Sequence, residues 1–145
     1  MTYEIISKRT IKNIYTVTEP KEIFKLLKRY GNNRQEGLYT ITIDSRSNVI
    51  GVYITSIGTA TTAPAHPRDI FYNAIMDNAY AFIIAHNHPT GNLLPTDEDI
   101  GVTVQMIEAG KIMGIKLIDH IIFRGDYFLS IRQDKPSLFS DKEKK

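Results

Sequence analysis

The chain has 145 residues, of which 42% are apolar and 23% charged, with a formal net charge of +2; this is the profile of one ordinary globular domain with little room for a second. It contains no cysteine, which excludes a disulfide framework, a thiolate zinc site and a cysteine nucleophile, and fits a reducing compartment such as the cytoplasm. No run of about 18 apolar residues occurs and Met1 to Thr10 lacks the apolar core of a signal peptide, so neither a membrane span nor secretion is expected.

In chain order, the first feature is charge. Residues 1–35 hold eight Lys or Arg against three Asp or Glu, a local +5, whereas residues 36–145 hold ten against thirteen, a local −3. A basic segment of this kind can meet nucleic acid or an acidic partner, but a solvated helix face is the simpler reading. Pro20 to Tyr30 reads as a helix, with Ile23, Phe24, Leu27 and Tyr30 on one face and Gly31 beyond its end. Leu38 to Ile43 alternates as a strand and Val49 to Thr55 is a second β-rich run. The Asp44-Ser-Arg-Ser-Asn48 segment between them is turn chemistry, so the pair predicts a hairpin.

Pro67 opens a second predicted helix to about Asp77, with Ile70, Phe71, Ala74 and Ile75 inward. Tyr80 to Ala85 is a short continuous apolar run, the mark of a strand covered on both faces. A loop from His86 to Pro95 leads to a long helix from Asp97 to about Met113. Its inward face is expected at Ile100, Val104, Ile107 and the stem of Lys111, and Gly114 closes it. Ile115 to Phe123 and Tyr127 to Ile131 read as strands about an Arg124-Gly125-Asp126 turn. Seven of the twelve residues from Asp134 to Lys145 are charged and Pro136 lies among them, so residues 134–145 are expected as a flexible tail after a single domain over 1–133. Helices interleaved with a hairpin-built sheet predict a layered α/β domain with helices on both faces.

The chemistry concentrates in His86 to Asp99, HNHPTGNLLPTDED. In extended chain, residues two apart face the same side, so His86 and His88 can reach one ion while Asn87 points away. Pro89 and Gly91 turn the chain, and the loop can bring the helix N-terminus at Thr96 to Asp99 back to the strand end. Two imidazoles and a carboxylate make a recognised catalytic zinc set with one position left for water, whose pKa such an ion brings to about 7. Asp99 has a rival role. Thr96-Asp97-Glu98-Asp99 also has the form of a capping box, with Thr96 as N-cap and Asp99 reaching back; on the residues alone cap and ligand stand level, and the two can coexist. The same donors also describe non-haem iron oxygenases, which belong mostly with all-β barrels, and the absence of cysteine removes the zinc deaminase set.

His86-Asn87-His88-Pro89, six residues, Thr96, two residues and Asp99 resembles the metal signature of the JAMM/MPN+ metalloproteases, the JAB domain. The strings AHPRDIF, AHNHPTGN, EAGKIMGIKLIDHIIF and YFLSIR resemble the RadC-type branch of that family, over about residues 15–133. The resemblance implies a three-layer α-β-α fold, cytidine-deaminase-like, with a mixed sheet. It implies His86, His88 and Asp99 as zinc ligands, Thr96 in the position usually held by a serine that supports the oxyanion, and Glu36, 50 residues before His86, as the general base. Manganese or iron would also suit the donors.

The function so implied is hydrolysis of a peptide or isopeptide bond by metal-activated water, in a peptide or protein substrate. The alternatives are a metal-dependent nuclease or DNA-repair-associated factor of the RadC type, and a non-catalytic interaction domain. RadC-type proteins usually carry an N-terminal helix-hairpin-helix, and no GxG-centred hairpin occurs before Glu36, so DNA binding by that route is not expected. His66 and His120 read as structural, His66 as a cap before Pro67. The loops near Ser56 to Ala65 and Thr90 to Pro95 would select the substrate, and they carry no readable code. The sequence does not specify an oligomeric state.

Overall fold

The structure, a computed structural model, describes residues 4–8, 16, 18–28, 34–57 and 66–140. Its strands are β1 (Glu4–Lys8), β2 (Gly37–Ile43), β3 (Val49–Ile57), β4 (Ala81–Asn87), β5 (Lys116–Arg124) and β6 (Tyr127–Ser130). Its helices are α1 (Pro20–Leu27), α2 (Pro67–Met76), α3 (Asp97–Met113) and the short α4 (Ile131–Asp134), followed by a 3₁₀ turn at Pro136–Leu138. The six strands form one sheet in the order β1-β3-β2-β4-β5-β6. All pairs are antiparallel except β4 with β5, which α3 joins in parallel.

The α-β-α layering follows from the period-two alternation of the central strands. Tyr39, Ile41, Ile43, Ile83, Ala85, Ile121 and Phe123 point to one face and bury Ile23, Phe24 and Leu27 of α1. Phe82, Ile84 and Leu117 point to the other and bury Ile70, Phe71 and Ala74 of α2 with Met106 of α3. Each such apolar side chain contributes about 1.5–3 kcal/mol when fully buried. Every residue of β4 is buried, as its unbroken apolar run predicts. The β2–β3 hairpin is tied by Asp44, whose Oδ1 accepts from the Arg46 and Asn48 amides at 2.8 and 2.9 Å.

Several details differ from the sequence expectation. β1 was not legible as a strand; its pairing with β3 supplies the constraint that its composition does not. Helix α1 is assigned to Leu27, and Tyr30 and Gly31 lie outside the described residues. Ile75 is 51% exposed and joins Tyr72, Met76, Ile112 and Met113 on an outward apolar face. On α3 Ile107 packs against the core as expected, but the buried positions are Thr103, Met106 and Gly110, and Val104 is 41% exposed. Gly110 permits the close fit, since a Cβ there would stand 2.5 Å from the Ile115 carbonyl oxygen. Gly114 ends the helix with φ 72°, where glycine has no Cβ penalty. β6 stops at Ser130 and Ile131 begins α4.

The loose tail expected from Asp134 is folded through the 3₁₀ turn, with Phe139 packed against the α2–α3 core and under the Arg132 guanidinium at 5.4 Å. Buried Asp119 anchors this end. It accepts from the Ser130 hydroxyl and from the amides of His120 and Arg132, and burial still pushes its carboxyl above the usual range. Part of the basic N-terminal segment is paired internally, Lys28 with Asp126 at 3.1 Å. Arg9, Lys12 and Arg29 lie outside the described residues. No helix among the described residues is long and apolar enough to cross a membrane.

Candidate metal centre

The site forms where the carboxyl end of β4 meets the N-terminus of α3 and the start of β2. Ligand sites in α/β sheets favour such strand ends, and a helix N-terminus adds favourable dipole there. His86 follows Phe82 and Ile84 on the face toward α2 and α3, and His88 continues that side. The His88 amide extends the parallel ladder by donating to the Phe123 carbonyl at 3.1 Å. His86 Nε2 and His88 Nε2 lie 2.7 Å apart. The Asp99 carboxylate closes the triangle, with Oδ1 3.1 Å from His86 Nε2 and Oδ2 3.2 Å from His88 Nε2.

The two roles weighed for Asp99 coexist. Thr96 Oγ1 accepts from the Asp99 amide at 3.1 Å, and Asp99 Oδ2 accepts from the Thr96 amide at 2.8 Å. The reciprocal box fixes the first turn of α3 and turns the same carboxylate toward the imidazoles. His66 stands at the N-cap of α2 but makes no side-chain cap bond.

Glu36 arrives by strand register. Leu38 pairs with His86 across the antiparallel β2–β4 ladder, so the residue two before Leu38 comes level with His88. Glu36, His86 and His88 each bring one ligand atom within 4.8 Å of the others. Asn87 does turn to the opposite side, as the alternation predicts, but its amide is not idle. Its Oδ1 accepts from the Gly37 amide at 2.7 Å and its Nδ2 donates to the Gln35 carbonyl at 2.9 Å. The residue between the two histidines thus clamps both peptides that flank Glu36. Gly37 suits this tight passage, because a Cβ there would stand 2.9 Å from the Tyr39 hydroxyl.

The electrostatics are those of a cation site. Burial raises the Asp99 carboxyl, but the two imidazoles beside it, His86 and His88, outweigh that and hold it far below the usual carboxylate range. Asp99 in turn raises His88 above the usual imidazole value, against its burial. Burial pushes His120 well below that value. His88 Nδ1 contacts the Asn92 carbonyl oxygen, which can only accept, so the proton of the neutral ring lies on Nδ1 and the Nε2 lone pair faces the centre. Lone pairs of imidazole and carboxylate crowded this closely need a positive charge among them, a proton or a metal ion. The donor set, two imidazole nitrogens and one carboxylate, fits a catalytic zinc.

The sequence also matches known proteins. Residues 17–136 match the family described as the RadC-like JAB domain. This chain is a RadC-like JAB domain. It is 37% identical to the UPF0758 protein of Clostridium beijerinckii over 126 residues, which is 86% of this chain and 55% of that protein. It is 38% identical to that of Clostridium tetani over 120 residues, 82% of this chain and 53% of that protein. A UPF0758 protein of Cyanothece is 43% identical over 99 residues, 68% of this chain and 41% of that one. The RadC-like JAB domain described here therefore spans about half the length of the curated relatives it matches.

His86, His88 and Asp99, candidates from their spacing, and Glu36 and Thr96, implied by the family resemblance, are brought to one strand end. The supporting residues Asn87, Thr103 and His120 were not legible in the sequence. Thr103 lies four residues after Asp99, one turn along α3, and that spacing was the available signal. Of the two loops expected to select substrate, Thr90 to Pro95 borders the site, while most of Ser56 to Ala65 lies outside the described residues.

Proposed function

We propose that this domain is a zinc-dependent hydrolase that cleaves a peptide or isopeptide bond in a peptide or protein substrate. The observation that carries the reading is the placement of the Asp99 carboxylate within 3.2 Å of ring nitrogens of both His86 and His88, with Glu36 alongside. His86, His88 and Asp99 would hold the ion. When bound, zinc polarises a carbonyl and makes water acidic enough to attack near neutral pH.

The chain's own groups do the rest. Glu36 takes a proton from the attacking water as its oxygen joins the carbonyl carbon. It returns that proton to the amine nitrogen as the carbon–nitrogen bond breaks. Thr96 supports the oxyanion: its oxygen accepts from the Asp99 amide, which leaves the hydroxyl proton to be donated to substrate. Asn87 keeps Glu36 at the right height by holding the peptides before and after it.

Glu36→Gln tests this directly. It should retain the metal and lose about 10²- to 10⁴-fold in turnover, read as release of product from peptide and isopeptide substrates by mass spectrometry. Full activity in that variant would end the mechanism.

A further inference from the structure

His88 has its tautomer set by a backbone carbonyl. His86 has no such partner, and its Nδ1 instead meets another imidazole, His120 Nε2, at 2.7 Å. That contact alone does not say which nitrogen carries the proton. The next links do. His120 Nδ1 lies 2.7 Å from Thr103 Oγ1, and Thr103 Oγ1 lies 2.8 Å from the Asp99 carbonyl oxygen. A carbonyl only accepts, so the single hydroxyl proton of Thr103 goes to Asp99. Thr103 must then accept from His120 Nδ1–H. A neutral imidazole with its proton on Nδ1 has only a lone pair at Nε2, so His120 accepts from His86 Nδ1–H. The lone pair of His86 is left on Nε2, facing His88 and Asp99.

We propose that Thr103 and His120 form a proton-ordering relay that holds His86 in its Nδ1–H form and so presents Nε2 to the metal. The inference rests on the metal-centre reading above. Both are positioning residues, since neither reaches the ion or the substrate. The relay begins at the main chain of Asp99 and ends at the ring of His86, so one helical turn ties two ligands together. His120 is 1% exposed and Thr103 is fully buried, which keeps water from competing for the links. Hydrogen-bond partners of this kind fix ligand orientation, and their loss typically weakens metal binding by about 10- to 100-fold.

The test joins two measurements on the full chain. Long-range proton–nitrogen NMR of the metal-free protein reads the tautomer of each histidine, and competition with a chromophoric chelator reads zinc affinity. Wild type should show the His86 proton on Nδ1 and the His120 proton on Nδ1. Thr103→Val, which keeps the shape and removes the hydroxyl, should raise the His86 Nε2–H population and weaken zinc binding about 10- to 100-fold. Thr103→Ser should restore both, which a merely structural role would not require. A His86 ring in wild type with its proton on Nε2 and none on Nδ1, or Thr103→Val binding zinc as tightly as wild type, would overturn the relay and leave the metal centre standing. Wild type that orders its tautomers as described yet binds no zinc would overturn the metal-centre reading, and the relay's purpose with it.

Discussion

Strand β4 is buried along its whole length, yet its two halves are held by opposite means. Ala81 to Ile84 are all apolar, with Phe82 and Ile84 packed toward α2 and α3 and Ile83 toward the α1 face. His86 and Asn87 carry polar rings and amides into the same depth, and every one of those side-chain contacts has a named partner. The first half is stabilised by area removed from water, which is non-directional. The second is stabilised by direction, because an unpaired buried polar group costs about 1–3 kcal/mol. The apolar half builds a rigid platform, and the polar half uses that rigidity to aim donors at one point.

Breaking each half should therefore give different failures. The largest effect on stability belongs to the apolar half. Phe82→Ala should cost about 3–5 kcal/mol, seen as a lower urea midpoint, while the fraction that remains folded still takes up metal. A variant that lost metal in proportion to nothing but the site would contradict that separation.

Next comes Asp99, where cap and ligand roles meet. Asp99→Asn keeps a carbonyl oxygen for the Thr96 amide but removes the charge, so zinc affinity should collapse while α3 keeps its start. Asp99→Ala should lose the affinity and also about 1 kcal/mol of stability from the broken cap. Equal zinc affinity in Asp99→Asn and wild type, by chelator competition, would reduce Asp99 to a helix cap.

The inward face of α3 shows what the sequence could and could not convey. Its strand partners were legible because Tyr80 to Ala85 is an unbroken apolar run, and the candidate metal ligands were legible because HxHP and the distant Asp agree in spacing with the JAMM signature they resemble. Apolar periodicity points to Ile100, Val104 and Ile107; Ile107 does pack against the core, but Val104 is exposed and the buried positions are Thr103, Met106 and Gly110. The buried face turns Asp99 and Thr103 toward the site and, farther along, Met106 and Gly110 into the core. Ile75 failed for the complementary reason: it continues the apolar pattern of α2 but faces outward. His120 looked like a core histidine, and only its ring contacts to His86 and Thr103 reveal what it supports.

Asn87→Ala sharpens the polar half further. It strips both bonds from the peptides around Glu36, so it should cost about 1–3 kcal/mol and speed hydrogen exchange at Gly37 while leaving metal content intact. Unchanged exchange at Gly37 would show that Glu36 is held by other means.

The smallest effect lies away from the site, on β3. Tyr53 donates to Asp77 Oδ2 at 2.5 Å, and burial, with Asp77, pushes its phenol well above the ordinary value. The folded state then holds this proton more tightly than the unfolded one. The stabilisation is complete below a phenol's usual pKa of about 10 and is lost as pH rises beyond it. Urea midpoints taken from neutral into alkaline pH should fall less steeply in Tyr53→Phe than in wild type; parallel slopes would remove Tyr53 from the account.

The central claim is that the polar end of β4 is built around a metal ion, and elemental mass spectrometry of natively purified protein tests it first, beside a His88→Ala control. About one zinc per chain, lost in His88→Ala while the fold is kept, is the result expected. A folded wild type that holds no metal, even after zinc is offered, would contradict it.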